Sequence, residues 1–537
     1  MRKLAFLFLS LFAFCTASAQ VTTSSMSGRV ADTDGQPIIG ATIVAVHTPT
    51  GTQYATASTR NGQFNLGGMR VGGPYDVEVS FIGCNTEKIE GIYLTIGEEA
   101  TLDFVLREDS QSIGEVVVVG KANPVFNANR TGAQEVVTLE MMEKLPTTSR
   151  SLDEFVKLTP MSSGKNFAGT SYRFNNVTVD GASFNNSFGL SSALGAQGTE
   201  PISLESIEQV QVMIAPYDVR NGGFTGGGIN SVTKSGTNEW HASAYMYTKS
   251  PELQGRRVRD YVGQVSEFSN RQYGVSLSGP IVKNKLFFFV NGELDRQDEP
   301  ISNRLADSRV SAADLDDLAK FLGDQFNYNP GGYDLSKTET RADRLTARID
   351  WNINDRNTFS LKYYYLKSYN TNAPSTSGAP ANGRGPNAYA MPFSSSYYRT
   401  NNDFNIVMAD WNSTINDHMS NTLKVGYSRL RDYRDMDGGF FPQVDILKDG
   451  SSYTVFGTEA NSYNNQLDTD IFQIQDNFTM NYGRHQITVG TQSDYRSFSN
   501  GFAQNYPGSW VFSSIDDFKF NVLAAKDYMA SHGNMTG

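Results

Sequence analysis

The pattern in this sequence that most resembles a catalytic motif is a serine followed three residues later by a lysine. Ser162 and Lys165, and again Ser231 and Lys234, stand three residues apart, as in hydrolases that use a lysine to activate a serine. Neither pair has the companion motifs of those enzymes, and residues three apart in a strand face opposite ways, which argues against the second pair. Gly-x-Ser-x-Gly and His-Glu-x-x-His are absent from the sequence. We therefore expect a protein that is not an enzyme.

Histidine and cysteine are too scattered in the sequence to indicate a metal site. The five histidines lack the close spacing of zinc ligands: His47, His241, His418, His485 and His532. Of the two cysteines, Cys15 lies in a segment that we expect to be removed, which leaves Cys84 alone and allows no intramolecular disulfide. The histidines are expected to be surface or strand residues, and we expect no metal and no cofactor.

A run of valines is the first segment whose residue types favour an interaction. After a polar linker, the chain reads Glu115, Val116, Val117, Val118 and Val119. β-Branched side chains favour extended backbone, and an exposed strand can pair edge to edge with another protein's sheet. The alternative is a core strand of the following domain. The position of the run between a linker and the next domain favours a docking strand.

A glycine-rich hairpin follows in the middle of the chain. A strand near Val210 turns through several glycines and returns as Ile229–Lys234, and an earlier strand closes on Asp180-Gly181. Glycine allows backbone conformations and close approaches that other residues do not. Carboxylates here are expected to pair with cations of a surrounding wall. The candidate residues of this region are Asn176, Asp180, Gly181, Gly227, Gly228, Asn230, Thr233 and Lys234.

The first residues have the pattern of a secretory signal peptide. Two positive residues precede a short apolar run, and a small-x-small site ends at Ala19, so we expect cleavage between Ala19 and Gln20 and a leader of residues 1–19. No later window is apolar enough for a membrane helix, so strands would have to carry the protein through a membrane.

Two small domains are expected between the leader and the long strands. Residues 26–107 contain several short alternating runs separated by Asp-Gly, Asn-Gly and Gly-Gly-Pro turns, which indicates a small β-sandwich. Residues 127–234 mix strands with two short helical stretches near 139–145 and 151–158, which indicates a compact α+β domain.

Residues 238–537 alternate apolar and polar side chains over nine expected strands. Leu345, Ile349 and Trp351 fall on one face of a strand, whereas Arg348 and Asp350 fall on the other. Tight turns alternate strictly with long polar loops, as in a transmembrane antiparallel β-barrel with a wet interior. Since the expected strands are few and their number is odd, we expect an incomplete barrel and a truncated chain. Four tyrosines, Tyr363, Tyr364, Tyr365 and Tyr369, are assigned to an interfacial belt.

The overall composition excludes one class of partner. The formal net charge is −11 and no basic block is present, so nucleic acid is not an expected partner.

These motifs together resemble the TonB-dependent outer-membrane receptors, most closely the Oar-like branch of the Bacteroidetes receptors. The resemblance lies in the segment before Val210, in Ala215–Arg220 and in Gly227–Asn238. It implies that residues 127–234 are a plug inside the barrel and that residues 113–120 are a TonB box whose Glu115–Val119 core binds TonB. TonB would work with its inner-membrane energising proteins. Residues 26–107 resemble the carboxypeptidase regulatory-like domain, which implies no peptidase activity.

The expected fold is therefore mainly β: a small β-sandwich, an α+β plug and an incomplete transmembrane barrel. The resemblance implies a Gram-negative outer-membrane receptor in contact with lipid, with its N-terminal domain in the periplasm and an extracellular ligand of unknown identity. Two alternatives stay open. One is an outer-membrane adhesin or assembly protein without energised uptake, and the other is a secreted carbohydrate-binding protein.

Overall fold

The computed structural model describes residues 21–108, 116–119, 132–145, 147, 150–164, 166–185, 195, 199–263, 265–301, 303–482 and 485–532. The expected cleavage site at Ala19 and Gln20 lies outside the described residues, and so does Glu115. The strands Val116–Val119 and Gly132–Thr138 are described as backbone, and the latter also by its later side chains.

The N-terminal domain is a sandwich of two sheets, as the sequence predicts. Its strands are β1 (Ser24–Asp32), β2 (Thr42–His47), β3 (Thr52–Ala57), β4 (Gln63–Met69), β5 (Gly72–Ser80), β6 (Glu87–Leu94), β7 (Glu99–Thr101) and β8 (Phe104–Leu106). One sheet runs β4-β1-β7 with β8 also on β1, and the other begins β3-β2-β5-β6. Inward residues such as Val30, Val77 and Phe104 are fully buried between the sheets.

A further strand, β9 (Val116–Val119), completes the second sheet of this domain. It runs parallel to β6, with Val116 opposite Glu87 and Val119 opposite Glu90. The valine run is therefore not a core strand of the following domain.

The following domain combines one sheet with two short helices, as expected for an α+β unit. Its elements are β10 (Gly132–Thr138), α1 (Leu139–Lys144), α2 (Leu152–Val156), β11 (Ser162–Ser163), β12 (Asn166–Phe167), β13 (Asn176–Val179), β14 (Ala182–Ser183), β15 (Ile207–Pro216) and β16 (Gly228–Thr233). The strand order is β10-β15-β16-β13-β14, so the returning arm of the glycine-rich hairpin is the central strand.

The rest of the described chain is a curved wall of long strands with smaller elements between them. In chain order these are β17 (His241–Lys249), β18 (Arg257–Val258), β19 (Tyr261–Val262), β20 (Ser269–Val282), β21 (Leu286–Pro300), α3 (Ala312–Phe326), β22 (Lys337–Asn354), β23 (Asn357–Asn372), β24 (Tyr398–Asn416), β25 (Met419–Asp435), β26 (Gln443–Lys448), β27 (Ser451–Phe456), β28 (Gln466–Tyr482), β29 (His485–Gly501), β30 (Ser509–Phe512) and α4 (Ile515–His532). Single 3-10 turns lie at Tyr172–Phe174, Leu204–Ser206, Pro251–Leu253, Leu305–Asp307 and Ser394–Ser396.

Nine antiparallel strands form the wall, in the order β17-β20-β21-β22-β23-β24-β25-β28-β29. This confirms the nine strands expected from the alternation, and within the described residues the sheet is not closed. Its two faces differ as predicted: Ile349 is 41% exposed on the outer face, whereas the neighbouring Arg348 is 7% exposed on the inner face. Among the described residues, none of the helices combines the length and the apolar character needed to cross a membrane.

The long loops are more ordered than the sequence suggested. The smaller elements between and after the wall strands pack into an apolar cluster of their own around Leu318, Ile446 and Phe456. These elements are α3, β26, β27, β30 and α4. A buried ion pair stabilises the cluster, since the Arg384 guanidinium donates to the Asp445 carboxylate at 2.8 Å. We refer to this unit as the loop cap.

Candidate functional site

The Asp180 carboxylate lies at the centre of the contact between the plug and the wall. Asp180 follows β13 with φ +51°, and Gly181 follows with φ +87°, so a tight turn directs the carboxylate away from the sheet. Its side chain is 1% exposed, and it accepts hydrogen bonds from the Thr233 and Tyr364 hydroxyls. The Lys362 ammonium lies 3.6 Å from it.

The charge of Asp180 is maintained by its surroundings. Burial opposes ionisation, but the Lys362 and Arg348 charges and the two hydroxyl hydrogen bonds outweigh it, so the pKa of Asp180 is held below its ordinary value. Asp180 is therefore ionised at neutral pH. A buried carboxylate paired with two buried cations is held in place, because breaking the contact would leave buried charges without water to solvate them.

Two arginines on the inner face of the wall bind the plug at different positions along β22. Arg348 donates to the Thr233 carbonyl at 2.7 Å and to Asp350 at 2.8 Å. Further along the same strand, Arg344 donates to the Glu200 carbonyl at 2.6 Å and pairs with a glutamate of β21. The wall thus holds both the strand β16 and the segment before β15.

Two glycines allow the central plug strand to approach its neighbours. A Cβ on Gly227 would lie 2.5 Å from the Phe167 ring, and one on Gly228 would lie 2.9 Å from the Phe224 ring. Since Phe167 is fully buried, the ring has no free space to move into. The structure therefore requires glycine at Gly227, whereas a Cβ on Gly228 would displace the partly exposed Phe224 ring.

The remaining candidate residues of the plug make hydrogen bonds within the protein that stabilise its local structure. Asn176 donates to the Gly222 carbonyl at 2.8 Å, which fixes the glycine-rich turn. Asn230 is fully buried, accepts from Thr178 and donates to the Val21 carbonyl at 2.7 Å. The Lys234 backbone N–H donates to the Ser206 carbonyl at 2.8 Å.

The N-terminal domain docks against the underside of the plug. The Gln209 side chain of β15 accepts from the Ile96 N–H at 2.9 Å and donates to the Leu94 carbonyl at 3.0 Å. Gln211 donates to the Ile96 carbonyl at 3.2 Å. A small apolar cluster joins the same surfaces and contains Val71, Ile96, Val136 and Val232.

The same domain also contacts the short-turn end of the wall. The Arg70 guanidinium lies 3.4 Å from the Asp350 carboxylate, which also binds Arg348. The Pro49 carbonyl accepts from the Asn238 N–H at 2.7 Å. Three domains therefore share one chain of charges, and a polar cavity of about 130 Å³ lies at their junction.

His47 is buried at this junction. Its Nδ1 lies 2.7 Å from the Thr50 hydroxyl, and its ring packs 4.9 Å from that of Tyr75. Burial, together with the positive charge of Arg70, lowers the pKa of the His47 imidazole to about 3. His47 is thus neutral at neutral pH in the folded protein.

The sequence-selected residues lie in two places. Val116–Val119 belong to the N-terminal domain, whereas Asp180, Gly227 and their companions lie in the plug and its contact with the wall. Three residues complete the charge contact: sequence reasoning did not select Arg70 and Lys362, and it assigned Tyr364 to an interfacial belt instead. The inward position of Lys362 on a strand of alternating polarity was an available signal. The sequence offered no such signal for Arg70, because its partner Asp350 is remote in sequence.

The sequence of the wall matches the family described as outer membrane beta barrel domain over residues 232–314 and 300–530, which is more than half of the chain. The chain belongs to this outer-membrane barrel family. Residues 25–107 match the carboxypeptidase regulatory-like domain, which confirms that resemblance.

Two curated proteins are similar to this chain over part of its length. The chain is 26% identical to the TonB-dependent transporter Oar of Myxococcus xanthus over 276 residues, which is 47% of this chain and 25% of that protein. It is 25% identical to the probable TonB-dependent siderophore receptor PirA of Acinetobacter baumannii over 249 residues, 42% of this chain and 28% of that protein. By their names these two relatives are a TonB-dependent transporter and a probable TonB-dependent receptor, and this chain spans about a quarter of their length.

A solved structure with a similar arrangement is the outer membrane transporter YddB from Escherichia coli, with a TM-score of 0.48 and 14% identity over 68% of this chain and 48% of that one. Family membership places the protein in the outer membrane, with its N-terminal domain in the periplasm. The relatives are receptors and transporters rather than enzymes.

Proposed function

We propose that this chain is the plug-bearing part of a TonB-dependent transporter that takes up an extracellular ligand. The observation that carries the proposal is a folded plug whose Asp180 is buried between two cations of the wall's inner face. Such a plug blocks the route along the inner face. Transport then requires a force that breaks or shifts this contact.

TonB would supply that force by pairing with residues 113–120, through Glu115 and the strand Val116–Val119. The inner-membrane energising proteins would drive TonB, and the plug residues Asn176, Asp180, Gly227 and Asn230 would form the part that moves. The outer face of the wall would contact lipid. The match to Oar supports the Oar-like branch of the family. The ligand would bind on the side of the loop cap.

Proline in the coupling strand tests this proposal. In the full-length receptor, we expect Val117→Pro to reduce capture by immobilised TonB periplasmic domain at least tenfold, because proline removes a backbone donor and disfavours a paired strand. Val117→Thr, which keeps a β-branched residue, is the matched control and should bind as the parent does. Unchanged capture with Val117→Pro would reject TonB coupling and favour the adhesin or assembly alternative.

A further inference from the structure

The coupling strand is already part of a folded sheet. β9 forms the edge of β3-β2-β5-β6-β9, and its register with β6 runs from Glu87–Val116 to Glu90–Val119. Among the described residues no strand pairs with the other side of β9. In a strand, successive residues direct their N–H and C=O groups to alternate sides, so half of the backbone groups of β9 face that open side.

The chain geometry explains why β9 pairs here. The Asn85 N–H donates to the Arg107 carbonyl at 2.8 Å, and Cys84 forms an isolated bridge with Glu108. The end of the sandwich is thereby fixed beside the residues that lead into β6. Glu108 and Val116 are close in sequence, so pairing β9 with β6 costs little chain entropy.

The other end of β6 contacts the plug. Its last residue, Leu94, accepts a hydrogen bond from the Gln209 side chain at 3.0 Å, and Ile96 contacts both Gln209 and Gln211. One strand of the N-terminal domain therefore lies between the coupling strand and the central part of the plug sheet.

We infer that the N-terminal domain is the platform on which TonB acts. An extended strand of TonB adds to the open edge of β9 while β9 stays paired with β6, so TonB joins a folded sheet rather than capturing a free segment. A pull along the strands loads the β6–β9 hydrogen bonds in parallel, and the domain moves as one body. Its displacement withdraws Leu94 and Ile96 from Gln209 and Gln211 before the plug itself is drawn. The inference rests on the proposed TonB coupling.

A covalent lock between β6 and β9 tests the inference in the full-length receptor. Lys88→Cys and Val117→Cys are in register, and Cys84→Ser removes the thiol that would compete. We expect the two thiols to form a disulfide in the cell envelope, detected by mass spectrometry with and without reductant. The locked receptor should bind immobilised TonB periplasmic domain within twofold of the reduced form, because the open edge of β9 is unaffected.

Two outcomes would overturn the inference. A tenfold or greater loss of TonB capture on locking, reversed by reductant, would show that β9 must leave the sheet. A disulfide that forms no better than in the out-of-register pair Lys88→Cys with Val119→Cys would show that β9 does not pair with β6 as described. The second in-register pair, Glu90→Cys with Val119→Cys, answers the same question if the first variant does not fold.

Failure of the proposed function gives a different pattern. If TonB capture survives Val117→Pro, the coupling itself is wrong, whatever the lock shows. If Val117→Pro abolishes capture and the lock does so too, the coupling holds and only the platform is wrong.

Discussion

Asp180 decides how firmly the plug is held, because it is the plug carboxylate that meets Lys362 and Arg348. Removing one partner of a buried pair leaves uncompensated charge and costs about 3–5 kcal/mol. Asp180→Asn keeps the size of the side chain and tolerates the positive φ, so the expected loss is electrostatic. We expect the variant plug to become sensitive to protease in detergent at a lower urea concentration than the parent plug.

Asp218→Asn is the matched control within the same domain. Asp218 pairs with Arg220 at 2.6 Å, but both side chains are partly exposed. Ion pairs at the surface contribute about 0–1 kcal/mol, so this variant should behave nearly as the parent does. Equal effects of the two substitutions would contradict the role given to Asp180.

His47 makes the stability of the N-terminal domain depend on pH. The pKa of the His47 imidazole is lowered to about 3 in the folded state, from an ordinary value of 6.5. The contribution of the neutral imidazole to the free energy of unfolding is therefore complete above pH 6.5 and is lost as pH falls towards 3. At pH 5 the loss amounts to about 2 kcal/mol. We expect hydrogen exchange in the N-terminal domain of the full chain to accelerate between pH 7.5 and pH 5, after correction for the intrinsic rate.

His47→Gln should flatten this pH profile, because glutamine does not titrate. His418→Gln, at an exposed turn, should leave the profile of the parent unchanged. A His47→Gln protein with the full pH dependence would refute the assignment.

The elements of the wall follow from local pattern, and those of the loop cap do not. Alternation and tight turns predicted the nine strands, because apolar side chains alternate with polar ones along part of each strand, as in Leu345, Ile349 and Trp351 against Arg348 and Asp350. α3 was overlooked within a polar loop, although Leu315, Leu318 and Leu322 are spaced as one helical face. Such a short amphipathic stretch becomes a stable helix only through the partners that bury it, and those lie in other loops.

Tyr364 shows the limit of pattern at single positions. The sequence placed it in an interfacial belt with its neighbours, but it is 1% exposed and donates to Asp180. Adjacent strand residues face opposite ways, so Tyr363 and Tyr365 cannot share the direction of Tyr364. The belt assignment is wrong for Tyr364, since the plug that receives its hydroxyl comes from a remote part of the chain.

The glycine-rich hairpin is the plug element most sensitive to side-chain size. Gly227→Ala would place a Cβ against the buried Phe167 ring, and overpacking of this kind costs about 1–3 kcal/mol. Gly255→Ala is the control, since nothing lies within 4 Å of its Cβ. We expect the melting temperature of the plug, followed by protease resistance, to fall for Gly227→Ala alone. A fall of the same size in both variants would count against the packing argument.

On the scale of the whole molecule, three domains are joined by contacts between residues far apart in sequence. Arg70 of the sandwich meets Asp350 of the wall, Asp180 of the plug meets Lys362, and β9 continues the sheet of the first domain. These contacts connect β9 and its domain with the plug and with the wall. Composition and periodicity indicate each domain, but they carry no information about how the domains dock.

The most direct test of this account is photo-crosslinking at the coupling strand in growing cells. With Val117 replaced by p-benzoylphenylalanine in the full-length receptor, we predict an adduct with TonB that disappears in a strain without TonB. A matched probe at Val105, in a different strand of the same domain, should give no TonB adduct. No TonB adduct from position 117, with receptor abundance and outer-membrane location unchanged, would contradict the central claim that TonB drives this protein through β9.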